Sequence, residues 1–213
     1  MRIIKDLRQS VIDGEMNITQ ELMQKALSEK LPPEQILNDG LISAMAEVGR
    51  RYEGGEFFIP EMLISARAMK SGLALLRPHL TAASVQAVGK VVIGTVQGDL
   101  HDIGKNLVGM MLEGAGFEVF DLGADVSPDK YVAAVKEHRP DLVACSALLT
   151  TTMPRMNDII LSLTDAGLRE RVKVIIGGAP VTDKYAADIG ADGYAPDAAS
   201  AALCAKELIL KKG

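Results

Sequence analysis

The chain has 213 residues, enough for one large domain or two modest ones, each with its own core. With 48% hydrophobic and 24% charged residues its composition excludes a disordered chain, and a net charge of -5 argues against nucleic acid or an anionic membrane surface as the main partner. No apolar run approaches the roughly 20 residues of a spanning helix, and Met1-Arg2-Ile3-Ile4-Lys5-Asp6 lacks a signal-peptide core, so a cytoplasmic protein without membrane contact is expected.

Residues 1–80 read as helix throughout, from apolar residues recurring at the 3.6-residue period. Ile3, Ile4, Leu7 and Val11 form one stripe, ended by Gly14; Ile18, Leu22, Met23, Ala26 and Leu27 form a second, closed before Pro32-Pro33. The prolines suit the first turn of a third helix carrying Leu37, Leu41, Met45, Val48 and Tyr52, which Gly54-Gly55 stops. A fourth starts at Pro60, with Ile59, Met62, Leu63, Ala66, Met69, Leu73 and Leu76 inward until Pro78. Short connections make a four-helix up-down bundle the economical arrangement. Tyr52, Phe57, Phe58 and Ile59 crowd the turn between the third and fourth helices; they either close the end of the bundle core or lie over a ligand or partner.

Residues 81–88, small and without period, read as a linker to a second domain at 89–213. There the pattern alternates, with strands expected at 90–96, 117–122, 141–147, 172–177 and 192–195 and helices at 105–114, 128–138, 154–166, 181–188 and 198–211. Near-continuous apolar strands such as Val91 to Val96 are those of a parallel sheet covered on both faces. Five such units predict an α/β domain with a doubly wound, flavodoxin-like sheet in the order 2-1-3-4-5. Cys145 falls in a strand and Cys204 in the last helix; they read as reduced residues rather than a disulfide or metal pair.

In this fold ligands bind where the loops after the strands meet. Those loops carry Asp99 and His101, Leu122-Gly123, Ser146 to Thr152, Gly177-Gly178 and Ala195-Pro196-Asp197. Asp99 and His101, two apart, can turn to one side, so the carboxylate accepts from one imidazole nitrogen and leaves the other free to bind a metal. His79 and His138 are read as surface residues, so no protein-built cage surrounds His101. A lone imidazole is poor for zinc but sufficient for a metal whose equatorial positions a macrocycle fills. Gly104, Gly177 and Gly178 are read as places where a planar group or its tail approaches the backbone. Ser146 stands where a receiver domain needs its acceptor aspartate, and neither a phosphate loop nor Gly-x-Gly-x-x-Gly follows the first strand. Spacing alone leaves a purely structural His101 open.

The segment Asp99-Leu100-His101-Asp102-Ile103-Gly104 resembles the Asp-x-His-x-x-Gly signature of cobalamin-binding domains, Ser146-Ala147-Leu148 their Ser-x-Leu, and Gly177-Gly178 their Gly-Gly. Val48-Gly49 to Tyr52, and Gly55 to Pro60, are similar to the helical cap of cobalamin-dependent methionine synthase, so the resemblance covers nearly the whole chain. It implies that His101 replaces the cofactor's own dimethylbenzimidazole as lower cobalt ligand, hydrogen-bonded to Asp99, with Thr152 where methionine synthase has the serine of its relay. Ser146, Thr150, Gly177 and Gly178 would line the slot for the displaced nucleotide tail. Tyr52 and Ile59 match cap residues that shield the upper corrin face, Tyr52 standing where that enzyme has phenylalanine. Asp102, Ile103, Gly104 and Leu148, in the same motifs, and Met62, beyond Ile59, complete the expected cofactor-binding set.

A cap and cofactor domain alone are similar to the stand-alone corrinoid proteins of methylamine, quaternary-amine, methanol and methoxyarene methyltransferase systems. The runs at 146–153 and 177–182 look most like the methylamine and betaine branch. The resemblance implies a methyl carrier, not catalytic alone, that binds cobalamin or a related corrinoid. A substrate:corrinoid methyltransferase would place a methyl group on Co(I), and a second would move it from methyl-Co(III) to tetrahydrofolate or a thiol; a reductive activase is a further expected partner. The alternative from another class is a cobalamin-dependent sensor without methyl transfer; a carbon-skeleton mutase subunit fits the cap less well.

Overall fold

The computed structural model describes residues 2–83 and 86–210. The chain divides into two compact units, Met1–Ala87 with Glu113–Gly116, and Val88–Leu112 with Phe117–Gly213.

In the first unit α1 (Arg2–Ile12) and α2 (Met16–Ser28) are joined through Gly14, whose positive φ of 72° makes the tight turn. A continuous helical run follows: α3 (Pro33–Gln35), a π-helical stretch (Ile36–Ile42) and α4 (Ser43–Glu53). The run opens on Pro33, where a missing N–H costs nothing. After the Gly54-Gly55 turn comes α5 (Ile59–Ala82). Leu7, Val11, Met23, Leu41, Ala44, Met45, Val48, Met62, Met69 and Leu76 are buried.

Three details differ from the periodicity reading. Ile18 is exposed, and Thr19 is fully buried in its place, because α2 turns inward the Thr19–Met23–Ala26 stripe and the Thr19 hydroxyl pairs with Ser10 at 2.9 Å. Pro78 does not end the last helix. The buried Met69–Leu73–Leu76 stripe carries α5 up to it, and the helix runs on for one further turn to Ala82 although the proline forgoes a backbone hydrogen bond. The third helix is not uniformly α: an apolar repeat cannot reveal a π stretch, which shifts the buried face by a fraction of a turn where Gly40 lies against Leu7. Helix α5 also extends two residues into the segment read as a linker, of which Ser84 and Val85 lie outside the described residues.

The second unit alternates β1 (Lys90–Thr95), α6 (Ile103–Gly114), β2 (Glu118–Asp121), α7 (Pro128–His138), β3 (Leu142–Ser146), α8 (Pro154–Asp165), β4 (Lys173–Gly177), α9 (Asp183–Asp188), β5 (Gly193–Ala195) and α10 (Ala198–Leu210). The five strands form one parallel sheet in the order β2-β1-β3-β4-β5. Both faces are covered. Val92, Val143, Cys145, Val174 and Ile176 pack with Tyr131, Met156, Ile159 and Leu163, while Val91, Ile93, Leu142, Ala144 and Ile175, of opposite parity, are buried as well. Gly94 is required here, since a Cβ would lie 2.6 Å from the Tyr131 hydroxyl. Burial pushes the Cys145 thiol up to about 12.

In such a sheet all five strands release their chain at the same edge, which gathers the loops at 96–102, 122–127, 147–153, 178–182 and 196–197. Among the described residues, no helix is long and apolar enough to cross a membrane.

Candidate functional site

The β1–α6 loop is set by its ends. Val96 bridges Val126 beyond the named strands, and Gly98, at φ 82°, turns the chain so that the Asp99 amide donates back to the Val96 carbonyl at 3.1 Å. The turn buries the Asp99 side chain completely. One carboxylate oxygen accepts from the His101 amide (3.0 Å) and faces His101 Nδ1 at 2.7 Å; the other accepts from the Leu148 amide (2.8 Å) and the Thr152 hydroxyl (2.7 Å).

Burial alone would raise the Asp99 carboxyl. The amides of His101 and Leu148, the Thr152 hydroxyl and the imidazole outweigh it and hold the group well below the usual carboxylate range. An ionised carboxylate only accepts, so the ring proton belongs on Nδ1 and the Nε2 lone pair is left free. The His101 side chain is 53% exposed. Among the described residues no group of three or more His, Cys, Asp or Glu could hold a metal ion. The donor set is one oriented imidazole, which suits a metal arriving with its own equatorial ligands.

Apolar side chains surround this imidazole. Leu100 and Ile103 are 75% and 80% exposed, and Leu148 and Leu149 stand partly out of the adjoining loop. A Cβ on Gly104, in the first turn of α6, would meet nothing within 4 Å. An apolar, open surface beside a single nitrogen donor fits a large planar macrocycle.

The other expected residues of this unit are placed as follows. Asp102 is exposed and its carbonyl accepts from the Asn106 amide at 2.8 Å, opening α6. Ser146 is half-buried at the end of β3, and Thr150 is exposed on the loop beyond it. Gly177 and Gly178 are each demanded by a neighbouring carbonyl. A Cβ on Gly178, at φ 131°, would collide with the Ala147 carbonyl, and one on Gly177 would lie 2.7 Å from that of Ala195. They let the loops after β3, β4 and β5 close on one another.

In the helical unit Tyr52 is half-buried, Met62 fully buried and Ile59 half-exposed. Phe58, at 66% exposure, does not close the bundle core. The tip is held by its own contacts: the Phe58 amide donates to the Glu61 carboxylate at 2.9 Å, and the Arg51 guanidinium lies 5.2 Å from the centre of the Phe57 ring.

Several residues of the sheet-edge site were not singled out by sequence reasoning. The Thr95 hydroxyl donates to the His101 carbonyl at 3.1 Å. Asp125, on the β2–α7 loop, accepts from the Gly98 amide (2.7 Å) and donates its own amide to the Asp99 carbonyl (3.0 Å). Lys105, its side chain 2% exposed, donates to Asp121 and to the Asn106 side chain.

Two family models described as B12 binding domain match the chain, one over residues 89–203 and one over residues 3–77. A corrinoid protein of Desulfitobacterium hafniense (strain Y51) is 41% identical over 214 residues, covering 99% of each chain. Dimethylamine corrinoid protein 3 of Methanosarcina acetivorans is 43% identical over 208 residues, covering 98% of this chain and 97% of its own. The crystal structure of the methanol:cobalamin methyltransferase complex MtaBC from Methanosarcina barkeri matches with a TM-score of 0.88 and 30% identity, over 98% of this chain and 80% of that one. Matches of this extent, over both halves of the chain, make it a member of the corrinoid protein family with B12 binding domains.

Proposed function

We propose that the chain is a methyl carrier. It receives a methyl group from a methyltransferase specific for a methylated amine or betaine and presents it to a second methyltransferase acting on tetrahydrofolate or a thiol. The observation that carries the reading is the Asp99–His101 pair, with Nδ1 tied down, Nε2 free and, among the described residues, no protein-built metal cage around it. When bound, the corrinoid supplies a cobalt able to take up and give away the methyl group.

The protein's part is to bind, orient and shield. His101 Nε2 is the group that would hold the cobalt. Asp99 keeps the Nδ1 proton in place and raises the donor strength of Nε2, while the Thr152 hydroxyl and Leu148 amide hold the carboxylate still. Asp102, Ile103, Gly104 and Leu148 would bear on the corrinoid. Ser146 and Thr150 would line the slot for its nucleotide tail, which Gly177 and Gly178 would shape by holding the loops together. Tyr52, Ile59 and Met62 belong to the helical cap of the same reading, Tyr52 and Ile59 as shields of the methyl-bearing face.

The ligand assignment is tested with visible spectra of cobalamin-loaded wild type and His101→Ala at neutral pH. The wild type should show the imidazole-ligated spectrum and the variant the unligated one. Identical spectra would remove His101 from the cobalt.

A further inference from the structure

The Asp99 carboxylate orients His101, but the backbone that presents Asp99 is itself held from outside the loop. Asp125 does this from both sides. Its carboxylate takes the Gly98 amide at 2.7 Å, and its own amide donates to the Asp99 carbonyl at 3.0 Å. The two bonds run in opposite directions, one to the peptide group before Gly98 and one to the peptide group after Asp99, so together they fix the position and the tilt of the Gly98–Asp99 segment between them.

The conformation of Asp125 is the second observation. Its φ of 54° lies in the left-handed region, which disfavours residues with a Cβ, aspartate and asparagine least. Glycine would meet that backbone at no steric cost, yet glycine has no carboxylate to receive the Gly98 amide. Asp125 is also exposed, so packing does not account for its side chain.

We propose that Asp125 is a positioning residue for His101, clasping the Gly98–Asp99 segment at both ends so that the Asp99 carboxylate can hold the His101 ring with Nε2 outward. This rests on the reading of His101 as the cobalt ligand. Without the carboxylate the Asp125 amide still reaches the Asp99 carbonyl, but the Gly98 amide loses its acceptor and the segment is held at one end only, so Asp99 orients the ring less firmly and imidazole ligation weakens while the fold persists.

The test compares Asp125→Ala and Asp125→Asn with wild type and His101→Ala, all loaded with cobalamin, by visible spectra across a pH series, with thermal unfolding of each protein measured alongside. Asparagine tolerates the left-handed backbone and retains an acceptor oxygen, but removes the charge. The ligation constant should fall roughly 2- to 10-fold in Asp125→Ala, the equivalent of one net hydrogen bond, and stay near wild type in Asp125→Asn, with unfolding temperatures little changed. An Asp125→Ala protein that ligates as wild type does, or an asparagine variant that loses as much as alanine, overturns the proposal. If wild type and His101→Ala share one spectrum, the failure belongs to the ligand assignment instead.

Discussion

Asp99 accepts from four close donors while fully buried, and this crowding makes it more than an orienting group for an imidazole. A carboxyl group whose folded-state pKa is depressed stabilises the fold at every pH above its unfolded pKa, about 3.9. That contribution is lost progressively as pH falls through this value toward the depressed one. Urea unfolding of apo wild type should therefore lose stability more steeply between about pH 5 and pH 3 than Asp99→Asn, which is less stable at neutral pH but has no carboxyl to protonate. Parallel curves would show that this group contributes no acid sensitivity. At this scale the sequence was readable where chemistry depends on local spacing: Asp99 and His101 are two residues apart, and their side chains meet. It was not readable where partners come from other loops. Thr95, Asp125 and the Leu148 amide reach the site only once three strands are in register, and the backbone amide carries no residue-type signal at all.

The glycines of the strand–loop elements divide into two physical kinds, which predicts opposite outcomes for one substitution. Gly178 has a positive φ and the Ala147 carbonyl where its Cβ would go, so Gly178→Ala should destabilise the apo protein by more than about 2 kcal/mol, combining strain with overpacking. Gly104 sits in α6 with open space around it, so Gly104→Ala should leave apo stability unchanged or raise it by up to about 1 kcal/mol. If the corrin lies against that turn, the same methyl group should lower cobalamin affinity. Chemical denaturation of the apo proteins and cobalamin titrations separate the two effects, and unimpaired binding by Gly104→Ala would move the macrocycle away from α6. Treating Gly104, Gly177 and Gly178 alike was the natural reading of a sequence, because a glycine gives no sign of which neighbour excludes its side chain. The sheet was far more legible. Runs such as Val91 to Val96 and Val172 to Ile176 are apolar at both parities, which only a strand buried on both faces requires, and the helices between them fix the parallel order. In the helical unit the apolar repeat located the helices but not the rotation of α2 or the π stretch, since Thr19 is buried through a hydroxyl pair that hydropathy scores as polar.

Across the whole chain, relatedness does not select a substrate. A dimethylamine corrinoid protein matches at 43% identity and the structure of a methanol:cobalamin methyltransferase complex matches at a TM-score of 0.88, both over nearly all of this chain. One architecture thus accompanies two chemically unlike methyl donors. The His101 imidazole and the exposed Leu100, Ile103, Leu148 and Leu149 of the sheet unit offer such small donors little to discriminate them. On the methyl-carrier reading the donor is chosen by the partner methyltransferase, and this chain must instead be recognised by that partner. Cobalamin-loaded protein reduced with titanium(III) should therefore show no spectral change with free methylamines, betaine or methanol alone. Adding a methyltransferase that accepts this carrier should produce methyl transfer to the corrinoid, with the donor used following the enzyme when one methyltransferase is exchanged for another. Methylation by a free donor without any partner would place substrate recognition on this chain. A carrier that no methyltransferase of the amine, betaine or methanol classes can methylate, and whose oligomeric state responds to light, would be a cobalamin sensor instead.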